Sequence, residues 1–250
     1  MNTGVVKLFK KLLILLAIVF VLDRALGSII EYLFLNEPLG DAAAFSHAIN
    51  NPTEDILIYG SSRAVHTYDT KVIQDATGLT AFNCGRNASN IIYHDAILPA
   101  ALNNPNHKPK AIILDLVAKE IQARGTQGSD DVLASMLIPY VRTNEHFANL
   151  SKELFPKEYY KARVSKLYAY NSLILSIIRN YSRKENDNVN GYQPLVGSKV
   201  KTSPGPFTMG RDGIDEYGKE HFISFVKSVK EAGVPLFIIF SPAYVDGASF

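Results

Sequence analysis

Four short apolar runs, Asp55–Tyr59, Leu79–Asn83, Lys110–Val117 and Val234–Ser241, constrain this chain more than anything else in it. Each is bounded by turn residues, and stretches with helical patterning lie between them. A short, nearly continuous apolar run reads as a strand buried on both faces. Strands alternating with helices imply βαβ units, right-handed crossovers and a parallel sheet. The expected fold is therefore α/β: a three-layer, flavodoxin-like domain with at least four parallel strands. The patterning predicts helices over 64–78, 87–103 and 214–232, closed by Gly78, by Asn104-Pro105 and by Gly233. A chain of 250 residues is long enough for one sizeable core with an insertion.

The N-terminus follows a different rule. Lys7, Lys10 and Lys11 precede the apolar run Leu12–Leu22, Asp23-Arg24 interrupts it, and Ala25–Leu35 is mostly apolar again. Counted from Val5, with the lysines snorkelling, the helix reaches roughly 27 Å, about the thickness of a bilayer's hydrocarbon core. Residues 1–35 are thus expected to be an uncleaved signal anchor, a single-pass transmembrane helix. A signal peptide cleaved near Ala25-Leu26-Gly27 and a buried helix are the alternatives. Positive charge ahead of the apolar run places the N-terminus in the cytoplasm and the rest of the chain in the periplasm or outside the cell.

The α/β domain is expected over 54–250, with residues 120–213 as a helical insertion too long for one crossover. Helix-like pieces fall around Ser129–Tyr140 and Tyr159–Tyr181, followed by a polar, Gly/Pro-rich segment from Arg183 to Gly213. The insertion is rich in tyrosine, which suits half-wet surfaces including sugar-binding clefts; it is expected to be a helical subdomain with its own small core, with a substrate lid or partner-docking surface as the alternative. The net charge is +2, and several positive charges lie before residue 12, so nucleic acid is not an expected partner. One cysteine, Cys84, excludes an internal disulfide framework. No metal-ligand spacing and no glycine-rich nucleotide motif occurs, so no metal and no cofactor is expected.

Chemistry gathers at three strand ends: Gly60-Ser61-Ser62-Arg63, Asn83-Cys84-Gly85-Arg86-Asn87 and Val117-Ala118-Lys119-Glu120. In a parallel sheet these share the carboxyl edge, where open α/β sheets hold their sites. A hydroxyl from the first and backbone N–H groups from the second would make a nucleophile with an oxyanion hole. Ser62 also reads as a helix N-cap, and Ser61 as at least as good a one. His66, four residues after Ser62 on the same helix face, is a weak candidate base. Arg63 and Asn83 are candidate substrate contacts. Asp115, inside the third run, needs a partner, with Arg63 or Arg86 in reach. Cys84 reads as a small buried residue.

These blocks resemble the SGNH (GDSL-like) hydrolases, and among them the membrane-anchored bacterial branch whose first block reads Gly-Ser-Ser-Arg. The resemblance covers residues 55 to about 117, and 214–242 in outline. It implies an SGNH-like fold, with Ser62 as nucleophile and Gly85, from the Asn-x-Gly block, as an oxyanion-hole donor. It further implies an esterase or O-acyltransferase acting on acyl esters of cell-envelope polysaccharide. Two features depart from the family. Lys119 stands nearest the usual third-block asparagine, for which Asn87 is a substitute candidate. None of the six histidines has an aspartate three residues before it, so the Asp-x-x-His block is missing. The chain is accordingly expected to be incomplete at its C-terminus. The alternative is a catalytically inactive SGNH-like module that binds polysaccharide or an envelope partner.

Overall fold

The four apolar runs form one parallel sheet in a computed structural model that describes residues 3–50, 52–116, 118–121, 129–182, 188–195 and 215–240. Strands β1 (Ile56–Gly60), β2 (Ala81–Asn83), β3 (Ala111–Asp115) and β4 (Leu236–Ile239) stand in the order β2-β1-β3-β4. Register aligns Ile58 with Asn83 on one side of β1, and Gly60 with Asp115 on the other. The α/β class and the parallel sheet expected from the sequence are thus present.

In chain order the helices before β3 are α1 (Thr3–Leu35), α2 (Gly40–Ile49), α3 (Ser62–Thr67), α4 (Thr70–Thr77) and α5 (Ile91–Leu102). After β3 come α6 (Ala118–Ile121), α7 (Ser129–Leu137), α8 (Glu145–Leu154) and α9 (Pro156–Val164). Helices α10 (Ile174–Ser182) and α11 (Glu216–Glu231) complete the set, and single 3₁₀ turns occupy Ile138–Tyr140 and Leu167–Tyr170. Two compact units result, Met1–Pro38 with Ala134–Arg183, and Leu39–Leu133 with Lys184–Phe250.

Local capping revises the predicted boundaries. The helix expected over 64–78 is two helices, because Asp69 accepts from the N–H groups of Lys71 and Val72 and starts α4 afresh. The helix expected from 87 begins at Ile91, where Asn90 caps it by accepting from Tyr93 N. The expected piece Tyr159–Tyr181 is α9, a 3₁₀ turn and α10. The ends of the third and fourth runs, Val117 and Ser241, and most of the polar segment 183–213, lie outside the described residues.

In the sheet unit, side chains alternate between two helical layers. Ile56 and Ile58 pack with Ala64 of α3, Tyr68 just after it and Ile73 of α4. Tyr59 points the other way, edge-on to Phe225 of α11 at 5.4 Å and to His94 of α5 at 6.4 Å.

In the other unit, the second half of α1 packs with the insertion helices. Phe34 lies between the rings of Tyr140 and Tyr170, at 5.3 and 5.4 Å. The charged pair that interrupts the apolar run has structural work here. Asp23 accepts from Ser165 Oγ, Lys166 N and Leu167 N at 2.5, 2.8 and 3.2 Å, which caps the second 3₁₀ turn. Arg24 donates to Val164 O at 2.7 Å. Among the described residues no helix is long and apolar enough to cross a membrane. The charge-free run Leu12–Leu22 gives only roughly 16 Å of helix, half a hydrocarbon core.

Candidate functional site

β1 and β3 are neighbours whose connections leave in opposite directions, so the gap beyond their carboxyl ends is the topological switch point of the sheet. Gly60 closes β1 with φ 152°, and a Cβ there would lie 2.7 Å from both Ala64 Cβ and Asp115 O. Only glycine lets the chain turn this tightly over β3. Ser61 and Ser62 follow at that point.

The two serines divide the roles differently from either sequence reading. Ser61 occupies the N-cap position of α3, yet its side chain makes no cap bond. It is buried, and its Oγ donates to Glu120 Oε1 of α6. Ser62, the first residue of α3, is exposed, and its hydroxyl makes no hydrogen bond among the described residues. Glu120 was in view only as a strand-end residue; no sequence pattern links it to a serine 59 positions earlier.

His66 lies one helical turn after Ser62, half-buried, with Nδ1 2.7 Å from Gln193 O. A carbonyl only accepts, so Nδ1 carries the proton in the neutral ring and Nε2 carries the lone pair. That is the tautomer able to take a proton from a hydroxyl. Gln193 is held in turn: its N–H donates to Val65 O at 3.0 Å, and its side-chain amide donates to Asp41 Oδ1. It belongs to a strap, residues 188–195, that turns at Asn190-Gly191, with φ 49° and 83°. The strap is fastened by Asn83 N to Asn190 O, 2.8 Å, and by Thr70 Oγ1 to Val189 O, 3.2 Å. The Asn-Gly pair was the available signal for this turn.

Two expected site residues are spent on the fold. Asn83 is fully buried; its Nδ2 donates to Ala64 O at 2.8 Å and Tyr68 O at 3.4 Å, and its Oδ1 accepts from Gly85 N at 3.0 Å. It brackets α3 to the β2–α5 turn, and burial removes it as a substrate contact. The same bond occupies the Gly85 N–H that was expected to be free for an oxyanion. Asn87 presents a buried Oδ1 without a hydrogen-bond partner among the described residues. Arg63 is half-buried in the first turn of α3. Arg86 lies over the Phe45 ring at 4.8 Å, and buried Asp115 accepts from Tyr68 OH at 2.8 Å. Gly85, Arg86 and Asn87 line a small cleft with Asp41 and Gln193, of about 10 Å³, room for about one water; Ser62 does not line it.

Two further histidines stand out. His221 of α11 meets Asp95 of α5 with Nδ1 to Oδ2 at 2.7 Å, an oriented His–Asp pair. A search for aspartate three residues before a histidine misses it, because the partners are 126 positions apart. His94 is fully buried between Tyr59 and Tyr93, and desolvation lowers its pKa to about 3. The Cys84 thiol is buried as expected, and desolvation pushes its pKa up, which makes it a poor nucleophile. Among the described residues no group of His, Cys, Asp and Glu could hold a metal ion.

No family model, curated protein or solved structure matches the chain. The geometry therefore stands by itself: an exposed serine hydroxyl at the switch point, a histidine one turn away in the base tautomer, and a buried Ser–Glu pair beside them.

Proposed function

We propose that the protein is a membrane-anchored serine esterase or O-acyltransferase of SGNH type, acting on acyl esters of cell-envelope polysaccharide. The observation that carries this reading is Ser62, exposed at the switch point, with His66 Nε2 holding its lone pair on the same helix face. Ser62 Oγ would pass its proton to His66 Nε2 and attack the acyl carbonyl carbon. The alcohol would leave with that proton, giving an acyl-serine. Water or a sugar hydroxyl would then take the acyl group and return the proton to Ser62. The Ser62 N–H is one oxyanion donor. The Gly85 N–H becomes the second by exchanging Asn83 Oδ1 for the charged oxygen, a stronger acceptor than a neutral amide. Arg63, beside the nucleophile, suits a substrate carboxylate or phosphate.

The anchor is α1. Its large apolar side chains from Leu8 to Leu22 are exposed around the whole helix, a pattern that belongs in lipid. With Lys7, Lys10 and Lys11 reaching back to headgroups, the stretch from Val5 spans roughly 27 Å. The N-terminus is then cytoplasmic and the chain after α1 extracytoplasmic.

A second reading is a catalytically inactive module that binds polysaccharide or an envelope partner. The bond between Gly85 N and Asn83 Oδ1 favours it, because that N–H is already satisfied. A fluorophosphonate probe separates the two. Under the enzyme reading it labels the protein, labelling disappears in Ser62→Ala, and His66→Ala slows it by roughly 10²–10⁴-fold. Ser61→Ala retains labelling. Absence of labelling in the unaltered protein, with polysaccharide binding intact, would select the module.

A further inference from the structure

The exit of α1 from the apolar segment is ringed by features that point to a lipid surface. Arg24 Nη2 donates to Val164 O, and Arg142 Nη2 donates to Ala162 O and Arg163 O, all at 2.7 Å. Two guanidinium groups therefore cap the last carbonyls of α9, which fixes that helix end level with Arg24, the residue after the apolar run and Asp23. At this level α9 turns outward two apolar side chains four residues apart, Tyr160 at 55% and Val164 at 74% exposure. Residues so spaced share a helix face. Lys157, Lys161 and Arg163 are exposed around them. The one acid of α9, Glu158, is occupied by Lys161 Nζ at 2.9 Å and by the Tyr168 hydroxyl. A tyrosine and a valine set among exposed cations, next to a helix that is apolar on every side, form the pattern of an interfacial helix face.

We infer that the Tyr160/Val164 face of α9 rests on the headgroup layer of an anionic bilayer, as a second membrane contact beside α1. This inference rests on the anchoring reading of α1. Anionic lipid is the occupant that the charge selects: the exposed cations meet lipid phosphates, Tyr160 sits at headgroup depth, and Val164 enters the upper acyl region. Arg24 and Arg142, already bonded to carbonyls, hold α9 in place for this contact. The contact would set how far the second half of α1 stands out of the membrane.

The test uses the full chain in vesicles of phosphatidylcholine alone or mixed with phosphatidylglycerol. Single nitroxide labels are placed by Val19→Cys, Val164→Cys or Leu175→Cys in a Cys84→Ser background, and their access to a water-soluble nickel chelate is measured. Leu175 lies in the same unit at 82% exposure and serves as the wet reference. The expected result is strong shielding at 19, and access at 164 several-fold below that at 175 when phosphatidylglycerol is present. Lys157→Glu with Arg163→Glu then restores access at 164, since each cation contributes roughly fivefold to affinity for an anionic surface. Near-UV circular dichroism verifies that this variant stays folded. Shielding at 19 with equal access at 164 and 175 overturns the α9 contact and leaves the anchor standing. Free access at 19 overturns the anchor itself.

Discussion

Truncating Asn83 to alanine removes its bonds to the Ala64 and Tyr68 carbonyls and leaves the Gly85 N–H without the acceptor it has in a buried corner. An unsatisfied buried polar group costs about 1–3 kcal/mol. Asn83→Ala should therefore lower the urea midpoint clearly; an unchanged midpoint would show that the bracket adds nothing. His94 makes a prediction about pH. Desolvation holds its pKa at about 3 in the folded state, against 6.5 for the free side chain. Above pH 6.5 both states are neutral there, and stability does not depend on this group. As pH falls from 6.5 towards 3, the unfolded state takes a proton that the folded state refuses. Stability then declines at up to about 1.4 kcal/mol per pH unit. His94→Leu should flatten that part of the curve in urea titrations run across this range. Asn83, an asparagine at a strand end, looks functional in the sequence, whereas His94 reads as a packing or capping residue. Burial, which no spacing reveals, gives them structural roles.

At the scale of elements, α1 has two unlike halves. Its first half is apolar on every side, and its second half is fitted to the insertion. Gly27 marks the closest approach: a Cβ there would lie 2.6 Å from Lys166 Cβ and 3.0 Å from Leu167 N. Gly27→Val should push α1 off the 3₁₀ turn and weaken the Asp23 cap, destabilising the unit by about 1–3 kcal/mol. Amide hydrogen exchange at Lys166 and Leu167 reads this directly, and unchanged protection would contradict it. The sequence shows Ala25 and Gly27 as small residues near a charged pair, which suits a cleavage site as readily as a helix contact. The partners of Asp23 and Arg24, about 140 residues away, show this stretch packed on the insertion, which no local pattern reveals. The strap 188–195 teaches the same point. Its Asn-Gly turn is legible locally, but its grip on His66 depends on where the fold lays it.

For the whole molecule, the insertion unit needs α1 as a core element, since Phe34 fills the space between Tyr140 and Tyr170. Removing residues 1–35 should abolish the near-UV circular dichroism of the insertion's tyrosines, whereas removal of residues 1–22 should preserve it. Equal spectra for the two truncations would show that the insertion holds a core of its own. The sequence by itself determined the class of the fold. The strands are continuous apolar runs, buried throughout in β1 and β2, whereas β4, read in the same way, leaves Phe237, Ile238 and Ile239 exposed; helices carry caps and breakers, and both patterns are local, so parallel strands and one carboxyl edge follow from them. Ser61, Ser62, Gly85 and Glu120 all follow strand ends at that edge. What each does there was decided by tertiary structure alone. Which serine faces water and which carboxylate meets Ser61 or His221 depend on contacts between residues tens to more than a hundred positions apart. Such contacts leave no period in the sequence, because their partners are brought together by packing and not by spacing along the chain.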